Sequence, residues 1–401
     1  MGLKVSKHLN WTNSTMDKIP RAKDDYTRTM ATARREFINE KQGSQLHHTG
    51  NYSLPPESVR GNIENFSGVT QIPMGLCGPL LVKGDKAKGT FYVPMATTEG
   101  TLVGSYNRGM KLIRAAGGVQ TTIIAAAMQR SPVFGFDNAT TALLFGKWIA
   151  ENEDKIRTQA EATSSVVKLQ NIQQHAVSKF RFLRFNFSTG DAAGQNMTSK
   201  ATAAACEFIT KNYPNIEYFS LSGNFCTDKK YSLLNTLHTR GKKVVAEATI
   251  PASLIKEQMH TTPMALFKHR QVSNVGSFMA GTNNNGLHSA NALAAIFTAT
   301  GQDIANLAES SSAIVYTDVT ADGSYYFSIT LPSLIVATYG GGTGLATQKE
   351  CLELLDCYGK DRAEKFAEII AATVLCGELS LSSAVVTRQW IDSHERLGRN
   401  R

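Results

Sequence analysis

From Asp361 to Val386 the sequence reads D-R-A-E-K-F-A-E-I-I-A-A-T-V-L-C-G-E-L-S-L-S-S-A-V-V, and this stretch predicts one long helix. Glu378 lies inside the helix among apolar neighbours. The β-rich run Tyr325–Ala337 precedes it along the chain. A long apolar helix close to a β-rich run is typical of mixed proteins. We therefore expect an α+β fold in which a long helix lies at the centre of a large domain.

Length and composition limit the class of protein. A chain of 401 residues suggests two or three domains. The hydrophobic fraction of 42% and the charged fraction of 19% are typical of soluble globular proteins and exclude disorder, collagen and coiled coil. The excess of 42 Lys+Arg over 33 Asp+Glu suits nucleic acid, an anionic membrane or a polyanionic small molecule equally well.

The pattern along the chain divides it into three parts. Residues 1–60 are polar and contain one helical repeat near Asp24–Lys41, which predicts an N-terminal helical segment. Residues 132–220 alternate helical and β-rich runs, which predicts a small α+β domain with its own sheet. Residues 61–131 and 221–401 flank this small domain, and we expect them to form the large domain into which it is inserted. The defining runs of the small domain are Ala142–Thr163, Phe180–Phe187, Ser199–Asn212 and Ile216–Leu221.

The cysteines and the apolar stretches bear on the compartment. The spacing of the six cysteines matches neither a zinc site nor a disulfide framework, so we expect buried reduced thiols and no metal. The N-terminus lacks the apolar core of a signal peptide. The longest apolar stretches, Ile123–Met128 and Ala371–Gly377, are too short to span a bilayer. We expect a cytoplasmic protein that binds neither membrane nor nucleic acid.

Four places combine an ionisable side chain with small polar neighbours, as ligand sites often do. Each also has a simple structural explanation: a carboxylate that caps a helix, a solvated lysine pair, a capping aspartate, or a histidine in a terminal tail. The four places are P-M-A-T-T-E-G with Glu99, T-D-K-K with Lys229, G-Q-D with Asp303, and D-S-H-E-R with His394.

The order of these motifs resembles the hydroxymethylglutaryl-coenzyme A reductase family. The resemblance runs from about Glu64 to His394 and covers six separated blocks. The D-K-K form and a C-terminus just past the histidine resemble the class I branch of eukaryotes and archaea, here without its membrane anchor. The blocks are P-M-A-T-T-E-G-x-L-V-x-S-x-N-R-G, T-G-D-A-A-G-Q-N-M, S-G-N-F-C-T-D-K-K, G-Q-D, G-G-G-T and S-H.

The resemblance implies the four-electron reduction of hydroxymethylglutaryl-CoA to mevalonate and CoA in the mevalonate pathway of isoprenoid biosynthesis. Lys229 matches the family's catalytic lysine, which suits a reaction that builds negative charge on one oxygen. Glu99 matches the proton-donating glutamate, and Asp303 matches the aspartate that hydrogen-bonds both. His394 matches the histidine that protonates the departing CoA thiolate.

Substrate-binding positions carry over in the same way. Residues matching the contacts of the hydroxymethylglutaryl group are Arg130, Ser222, Asp228 and Lys230, and residues matching the CoA contacts are Ser105, Asn107, Arg108, His288 and Asn291. The resemblance also implies self-association, with each active site built from two chains.

The resemblance implies NADPH as cofactor, with NADH less favoured. The resemblance also implies that the small domain is ferredoxin-like and holds the cofactor. No Rossmann fingerprint follows a strand in this sequence. Lys168 stands near the position where relatives bind the 2′-phosphate. The expected cofactor residues are Asp191, Ala193, Gly194, Gln195, Asn196, Lys168, Gly340, Gly341, Gly342 and Thr343.

One departure from the family leaves a second hypothesis open. Where relatives carry a lysine three residues before V-G-S, this chain has Val272, and Arg270 is the nearest basic residue. A catalytically impaired CoA-binding homologue that acts as a scaffold is therefore the alternative to a working reductase. Asn400 takes the place of the serine that eukaryotic relatives phosphorylate, so that regulation is not expected.

Overall fold

The computed structural model describes residues 18–388, so the predicted site residue His394 lies outside the described residues. The chain separates into two compact units, Met1–Ile72 and Pro73–Arg401.

The first unit is built around one helix, α1 (Arg28–Gln42). The Thr27 hydroxyl accepts the backbone N–H of Met30, and Gly43 ends the helix in the left-handed conformation at φ 66°. Because Thr27 caps the helix, α1 begins four residues later than the predicted Asp24. Arg34 is buried and donates to the backbone carbonyls of Pro20 and Phe66, which ties the segments around α1 together.

The second unit contains all ten strands of the described chain. The strands are β1 (Met74–Lys83), β2 (Lys88–Ala96), β3 (Gln120–Arg130), β4 (Val133–Gly135), β5 (Lys168–Val177), β6 (Phe180–Ser188), β7 (Tyr218–Ser220), β8 (Gly241–Ile250), β9 (Ile314–Val319) and β10 (Tyr325–Leu334). The helices that accompany them are α2 (Leu102–Ala115), α3 (Ala139–Glu151), α4 (Glu153–Glu161), α5 (Gln195–Asn212), α6 (Leu233–His238), α7 (Ala252–Met259), α8 (Pro263–Ala280), α9 (Ser289–Thr300), α10 (Leu307–Ser310), α11 (Ala346–Leu354) and α12 (Ala363–Thr387).

The strands form a hairpin and one large antiparallel sheet. The hairpin pairs β1 with β2, from Met74 opposite Ala96 to Lys83 opposite Lys88. The sheet has eight strands in the order β7-β4-β6-β3-β8-β10-β9, with β5 paired to β6. The mixed α+β class is confirmed. The expectation of a separate sheet within residues 132–220 is wrong, because β3 pairs with β6 at one end and with β8 at the other.

The helix α12 lies at the centre of the larger hydrophobic core, as the sequence predicted. It crosses α2 closely: a Cβ on Gly109 would lie 1.9 Å from the Cys376 carbonyl oxygen, and one on Gly377 would lie 2.2 Å from the Tyr106 ring. By length and composition α12 could cross a membrane, which the seven apolar residues Ala371–Gly377 did not suggest. However, 83% of its most apolar window is buried inside the protein, as in the core helix of a globular fold.

Residues 134–216 pack around a second hydrophobic core, formed by α3, α4 and α5 against β5 and β6. Asn152 ends α3 and precedes α4, so the predicted stretch Ala142–Thr163 is two helices and not one. All six cysteines are free and buried, as expected.

Candidate active site

Lys229 and Asp303 form an ion pair that is open to solvent. The Lys229 Nζ lies 2.8 Å from the Asp303 Oδ2, and the two side chains are 44% and 42% exposed. The hydrogen bond that the Lys229 ammonium donates to Asp303 raises the pKa of Lys229 above its ordinary value, so the amine is held protonated. Asp303 is itself fixed, because its carboxylate accepts the backbone N–H of Ala305 at 3.1 Å. The arrangement presents one oriented cation at the protein surface.

A buried ion pair lies directly beneath Lys229. Glu309 Oε1 accepts the backbone N–H of Lys229 at 2.9 Å, and Glu309 Oε2 lies 3.1 Å from the Arg240 Nε. Arg240 also donates from Nη2 to Asp228 Oδ1 at 2.7 Å. Arg240 and Glu309 are each 1% exposed. Burial raises the pKa of Glu309 to about 7, although Arg240 opposes that shift.

Asp228 and Gln195 connect the lysine loop to the start of α5. The Gln195 Nε2 donates to Asp228 Oδ1 at 3.0 Å and to Asn306 Oδ1 at 2.8 Å. Predicted substrate residue Asp228 and predicted cofactor residue Gln195 are therefore in direct contact.

The other residues predicted to bind the hydroxymethylglutaryl group surround this loop. Arg130 donates to the Ser199 hydroxyl at 2.5 Å and lies 3.8 Å from the Cys226 sulfur, and its Nε is buried without a partner in the described chain. Lys230 is exposed, and its Nζ lies 3.2 Å from Asn224 Oδ1. Ser222 is exposed on the same loop. Two cations and a hydroxyl thus accompany Lys229, which suits a carboxylate ligand.

Glu99 belongs to a second group of predicted residues. It is exposed in the loop between β2 and α2, and its Oε1 accepts from the Asn291 Nδ2 at 3.4 Å. Asn291 also lies 3.0 Å from the Nδ1 of His288. Among described residues no hydrogen bond or ion pair joins Glu99 to Lys229 or Asp303. Within a single chain, the predicted catalytic residues therefore fall into two groups.

His288 is buried and makes two contacts with Tyr106. Its ring stacks on the Tyr106 ring at 4.7 Å, and its carbonyl accepts the Tyr106 hydroxyl at 2.7 Å. Burial lowers the pKa of His288 to about 4, so the imidazole is neutral at pH 7.

Glu378, the carboxylate inside α12, caps the start of α9. It accepts the backbone N–H groups of Leu287, His288 and Ser289 at 2.7–3.0 Å. These N–H groups have no partner within the helix, and a carboxylate also favours the positive end of the helix dipole. Glu378 therefore fixes the loop that carries His288 and Asn291.

The remaining predicted CoA residues line α2. Arg108 reaches α12, where its Nε donates to the Ser380 hydroxyl at 3.1 Å and its Nη2 to the Ser383 hydroxyl at 3.0 Å. The Ser105 hydroxyl lies 3.2 Å from that of Ser380. Asn107 accepts the backbone N–H of Gly78 at 2.7 Å. These contacts connect α2 to α12 and to the β1 strand.

The carboxylate of Asp191, a predicted cofactor residue, binds the backbone at the start of α12. Its carboxylate accepts the backbone N–H groups of Asp361, Arg362 and Ala363 at 2.8–3.0 Å, at the beginning of α12. Burial opposes the ionised form, but these backbone donors, Ala363 foremost, lower the pKa of Asp191 below its ordinary value. The Asp191 carbonyl also accepts the Thr338 N–H at 2.9 Å, which brings this loop close to the glycine loop.

The other predicted cofactor residues lie at the start of α5 and in the glycine loop, where Asn196, Gly340 and Gly341 are exposed and Gly194 and Thr343 are buried. Gly194 precedes α5 at φ 88°, no side chain caps the helix, and a Cβ there would lie 2.4 Å from Thr189. Gly340 and Gly341 also have positive φ, and a Cβ on either would meet nothing within 4 Å. Ala193 and Asn196 flank the start of α5, while Gly342 and Thr343 continue the glycine loop. An uncapped helix N-terminus beside an open glycine loop suits a phosphate-bearing ligand.

Lys168 has a partner that sequence reasoning did not anticipate. Its Nζ lies 3.0 Å from the Glu161 Oε2, and Lys168 is 60% exposed. Next to it, Ser165 is exposed. A carboxylate thus already accompanies the cation expected to hold the 2′-phosphate.

Val272 and Arg270, the two residues at or near the position of the family's lysine, differ in their exposure. Val272 is 65% exposed on α8, whereas Arg270 is buried and donates to the Asn285 carbonyl and, from Nη2, to the Ser382 hydroxyl at 3.4 Å. Arg270 therefore does not replace the lysine of the family at the surface.

Several polar core residues were not singled out from the sequence. Arg240 and Glu309 stand in T-R-G-K-K and L-A-E-S-S, which have no distinctive spacing. Lys242 is 7% exposed in a cavity of about 310 Å³ lined also by Asp191 and Glu364. The one sequence feature that could have indicated a buried charge is a charged residue within an apolar strand, and it applies only to Lys242.

The sequence of this chain is similar to those of known proteins. The family model for hydroxymethylglutaryl-coenzyme A reductase matches residues 30–399. The 3-hydroxy-3-methylglutaryl-coenzyme A reductase of Pyrococcus horikoshii is 43% identical over 91% of this chain and 91% of its own length. The reductase of Methanocaldococcus jannaschii is 42% identical over 91% of this chain and 92% of its own.

A solved structure has a similar fold. The class II 3-hydroxy-3-methylglutaryl-CoA reductase of Streptococcus pneumoniae, bound to NADPH in open conformations, superposes with a TM-score of 0.68. It is 18% identical, and the match covers 91% of this chain and all of that one. By the family match and the identity to its relatives, the chain belongs to the hydroxymethylglutaryl-coenzyme A reductase family.

Proposed function

We propose that this protein reduces the thioester of (S)-3-hydroxy-3-methylglutaryl-CoA to (R)-mevalonate and CoA with two NADPH, in the mevalonate pathway. The observation that carries the proposal is the ion pair between Lys229 and Asp303, 2.8 Å apart and open to solvent. Reduction of a thioester and then of an aldehyde builds negative charge on one oxygen twice. A fixed cation beside that oxygen is the largest expected contribution to the rate.

Lys229 stabilises the developing oxyanion in both reductions and can transfer a proton to it. Asp303 keeps Lys229 protonated and directed. Arg130 and Lys230 supply charge for the free carboxylate of the substrate, and Asp228 and Ser222 complete that contact. By its match to the family's motif, we assign His394 the protonation of the CoA thiolate, in the first reduction only.

The CoA part of the substrate would meet the second group of residues. His288 and Asn291 lie where Glu378 fixes the start of α9, and Ser105, Asn107 and Arg108 lie on the neighbouring helix α2. Glu99 belongs to this group and would supply the proton to the substrate oxygen. A neutral, buried His288 can accept or donate one hydrogen bond without adding charge.

The chain's own residues fit NADPH, which supplies the hydride when bound. The uncapped N-terminus of α5 offers backbone N–H groups for a phosphate, and the open backbone at Gly340 and Gly341 leaves room beside it. We assign Asp191, Ala193, Gly194, Gln195 and Asn196 to this contact together with Thr343. Lys168 would hold the 2′-phosphate, in competition with Glu161. We assign most of this contact to residues 132–220, an inserted cofactor domain, and the glycine loop to the large domain, which comprises residues 61–131 and 221–401. Residues 1–60 form an N-terminal segment.

We further propose that two copies associate and that the active site lies at their interface. No hydrogen bond or ion pair joins Glu99 to Lys229 within the described chain, whereas the proposed chemistry needs both at one substrate. The helix α8 exposes Val272, Val275, Phe278 and Met279 along one face, with Phe278 87% and Met279 81% exposed. A stripe of this kind is typical of a surface that is covered by a partner.

The subtype and compartment belong to the same proposal. The D-K-K sequence at Asp228–Lys230 supports the class I type, and the relatives at 42–43% identity are archaeal. We propose that the protein is cytoplasmic.

A stoichiometric assay tests the function. Purified protein mixed with hydroxymethylglutaryl-CoA should oxidise two NADPH per thioester and release one free thiol. The same assay with NADH measures cofactor preference. Binding of the thioester by calorimetry without any oxidation of NADPH or NADH would contradict the proposal and support the scaffold alternative.

A further inference from the structure

The backbone of Lys229 has a conformation that requires external support. Its φ is 58°, in the left-handed region that side chains with a Cβ avoid. Such a residue persists only where surrounding contacts hold it, and such residues cluster at functional sites. The question is which contact holds it.

Two carboxylates from one short segment hold the two ends of Lys229. Asp303 binds the Nζ at 2.8 Å, and Glu309 Oε1 accepts the backbone N–H at 2.9 Å. The segment between them contains the 3-10 turn Ile304–Asn306 and α10. The main chain and the ammonium group of Lys229 are therefore both bound by the segment that runs from Asp303 to Glu309.

Glu309 is held in turn by Arg240, and both are buried. Arg240 contacts Glu309 at 3.1 Å and Asp228 at 2.7 Å, and its Nη1 donates to the Gln129 carbonyl at 3.2 Å. One guanidinium thus fixes the residue before Lys229 and the carboxylate that binds the Lys229 N–H. A charge-assisted network of this kind restricts geometry more than neutral hydrogen bonds do.

We propose that Glu309 is a positioning residue for the reduction, which holds Lys229 in its left-handed conformation so that the ammonium points at the reacting oxygen. The inference rests on the proposed role of Lys229. The charged groups that face Glu309 are Arg240, Lys229 and Asp228. Burial raises the pKa of Glu309 to about 7, so the carboxylate form prevails above neutrality. The carboxylate is the better acceptor, and turnover should therefore rise as Glu309 ionises.

Two substitutions separate positioning from folding. Glu309→Gln keeps an oxygen that can accept the Lys229 N–H, whereas Glu309→Ala removes it. A matched control is Glu368→Ala, because Glu368 is equally buried and accepts the N–H groups of Lys86 and Ala87 at 3.0 and 2.6 Å. The variants are compared at equal folded fraction, measured by near-UV circular dichroism.

We expect Glu309→Ala to lower kcat by about tenfold or more for both thioester and mevaldehyde, with KM for the thioester within about threefold, because the loss lies in oriented charge and not in binding. Glu309→Gln should keep kcat near the level that the unsubstituted protein shows below pH 7, well above that of Glu309→Ala, and should lose the rise in kcat near pH 7. Unchanged kcat in Glu309→Ala, an equal loss in Glu368→Ala, or no recovery in Glu309→Gln would overturn the inference.

A second measurement does not depend on activity. Amide hydrogen exchange, followed by mass spectrometry on peptides that contain Lys229, should be slow in the unsubstituted protein and in Glu309→Gln, and fast in Glu309→Ala. Glu368→Ala should leave this exchange slow. If the unsubstituted protein oxidises no NADPH, the proposed function fails while exchange still decides the inference. Fast exchange in the unsubstituted protein, or slow exchange in Glu309→Ala, would contradict it.

Discussion

Glu378, in the C-terminal half of α12, accepts the backbone N–H of His288 at 2.7 Å, together with those of its two neighbours in the chain. A core helix and a loop ninety positions earlier in the chain, which we assign to CoA binding, are thereby joined by one carboxylate. Burial raises the pKa of Glu378, while the N–H donors of His288, Leu287 and Ser289 act in the opposite direction.

We predict that Glu378→Ala destabilises the fold and weakens the binding of the thioester. Each N–H group left buried without a partner costs roughly 1–3 kcal/mol. The melting temperature should fall, and KM for hydroxymethylglutaryl-CoA should rise more than KM for NADPH. Thermal denaturation measures the melting temperature, and steady-state kinetics measure the two KM values. Equal changes of both KM values would contradict the assignment of this loop to CoA.

Replacing Lys229 by Ala should remove the cation from the developing oxyanion. We expect a loss of turnover of roughly 10²–10³, the size of effect that one oxyanion donor has in other enzymes. Binding of the thioester, measured by calorimetry, should weaken much less. Lys349→Ala is the control, since Lys349 pairs with Glu353 on the surface at 3.6 Å. Near-normal turnover in Lys229→Ala would refute the catalytic assignment.

Asp303→Asn should change the pH dependence of the reaction. The carboxylate of Asp303 raises the pKa of Lys229, so an amide in its place lets that pKa fall back towards the ordinary value of 10.5. Lys229 then loses its proton at lower pH, and the alkaline decline of kcat should move to lower pH. A pH profile of kcat under saturating substrate measures the shift. An alkaline limb at the same pH in both proteins would show that Lys229 is not the group that titrates.

Lys168 and Glu161 provide a paired test of cofactor choice. Lys168→Ala should raise KM for NADPH and leave KM for NADH nearly unchanged. Glu161→Gln should act in the opposite direction, because it removes the carboxylate that lies 3.0 Å from the Lys168 Nζ and so favours the 2′-phosphate. Equal effects of Lys168→Ala on both cofactors would place the 2′-phosphate elsewhere.

The role of His394 can be tested by comparing the two reductions. Only reduction of the thioester expels CoA thiolate, whereas reduction of free mevaldehyde expels no leaving group. His394→Gln keeps a similar size and some hydrogen bonding but cannot deliver a proton as imidazolium does. Turnover of the thioester should fall strongly while mevaldehyde reduction is nearly intact. No change in either assay would indicate a tail histidine without a role.

The sequence predicted those elements whose pattern is set locally. The strand β6, the helix α5 and the long helix α12 follow from local runs of β-rich or apolar residues. The strand β5 was missed because K-L-Q-N-I-Q-Q-H-A-V is polar and half exposed, and α8 was missed because it contains Gly276 and β-branched residues. Sheet continuity through β3 depends on pairing between distant segments, which local pattern does not encode.

The candidate site shows the same division. Motifs located Lys229 and Asp303, and the structure places them in contact. The buried pair Arg240–Glu309 has no motif, because its role comes from tertiary contacts with Lys229 and Asp228. Likewise, nothing in the sequence near Asp191 indicates that its carboxylate binds the start of α12.

The length of α12 therefore fixes the distance between two contacts that it makes with other parts of the chain. Asp191 binds its first N–H groups, and Glu378 farther along holds the start of α9, so their separation is fixed at roughly 22 Å by the rise of an α-helix. Removing one residue between Ala363 and Glu378 would shorten that distance by about 1.5 Å and turn Glu378 by about 100° away from its acceptor position. Conservative substitutions on this stretch, other than at Gly377 and Glu378, should be tolerated far better than any change in its length.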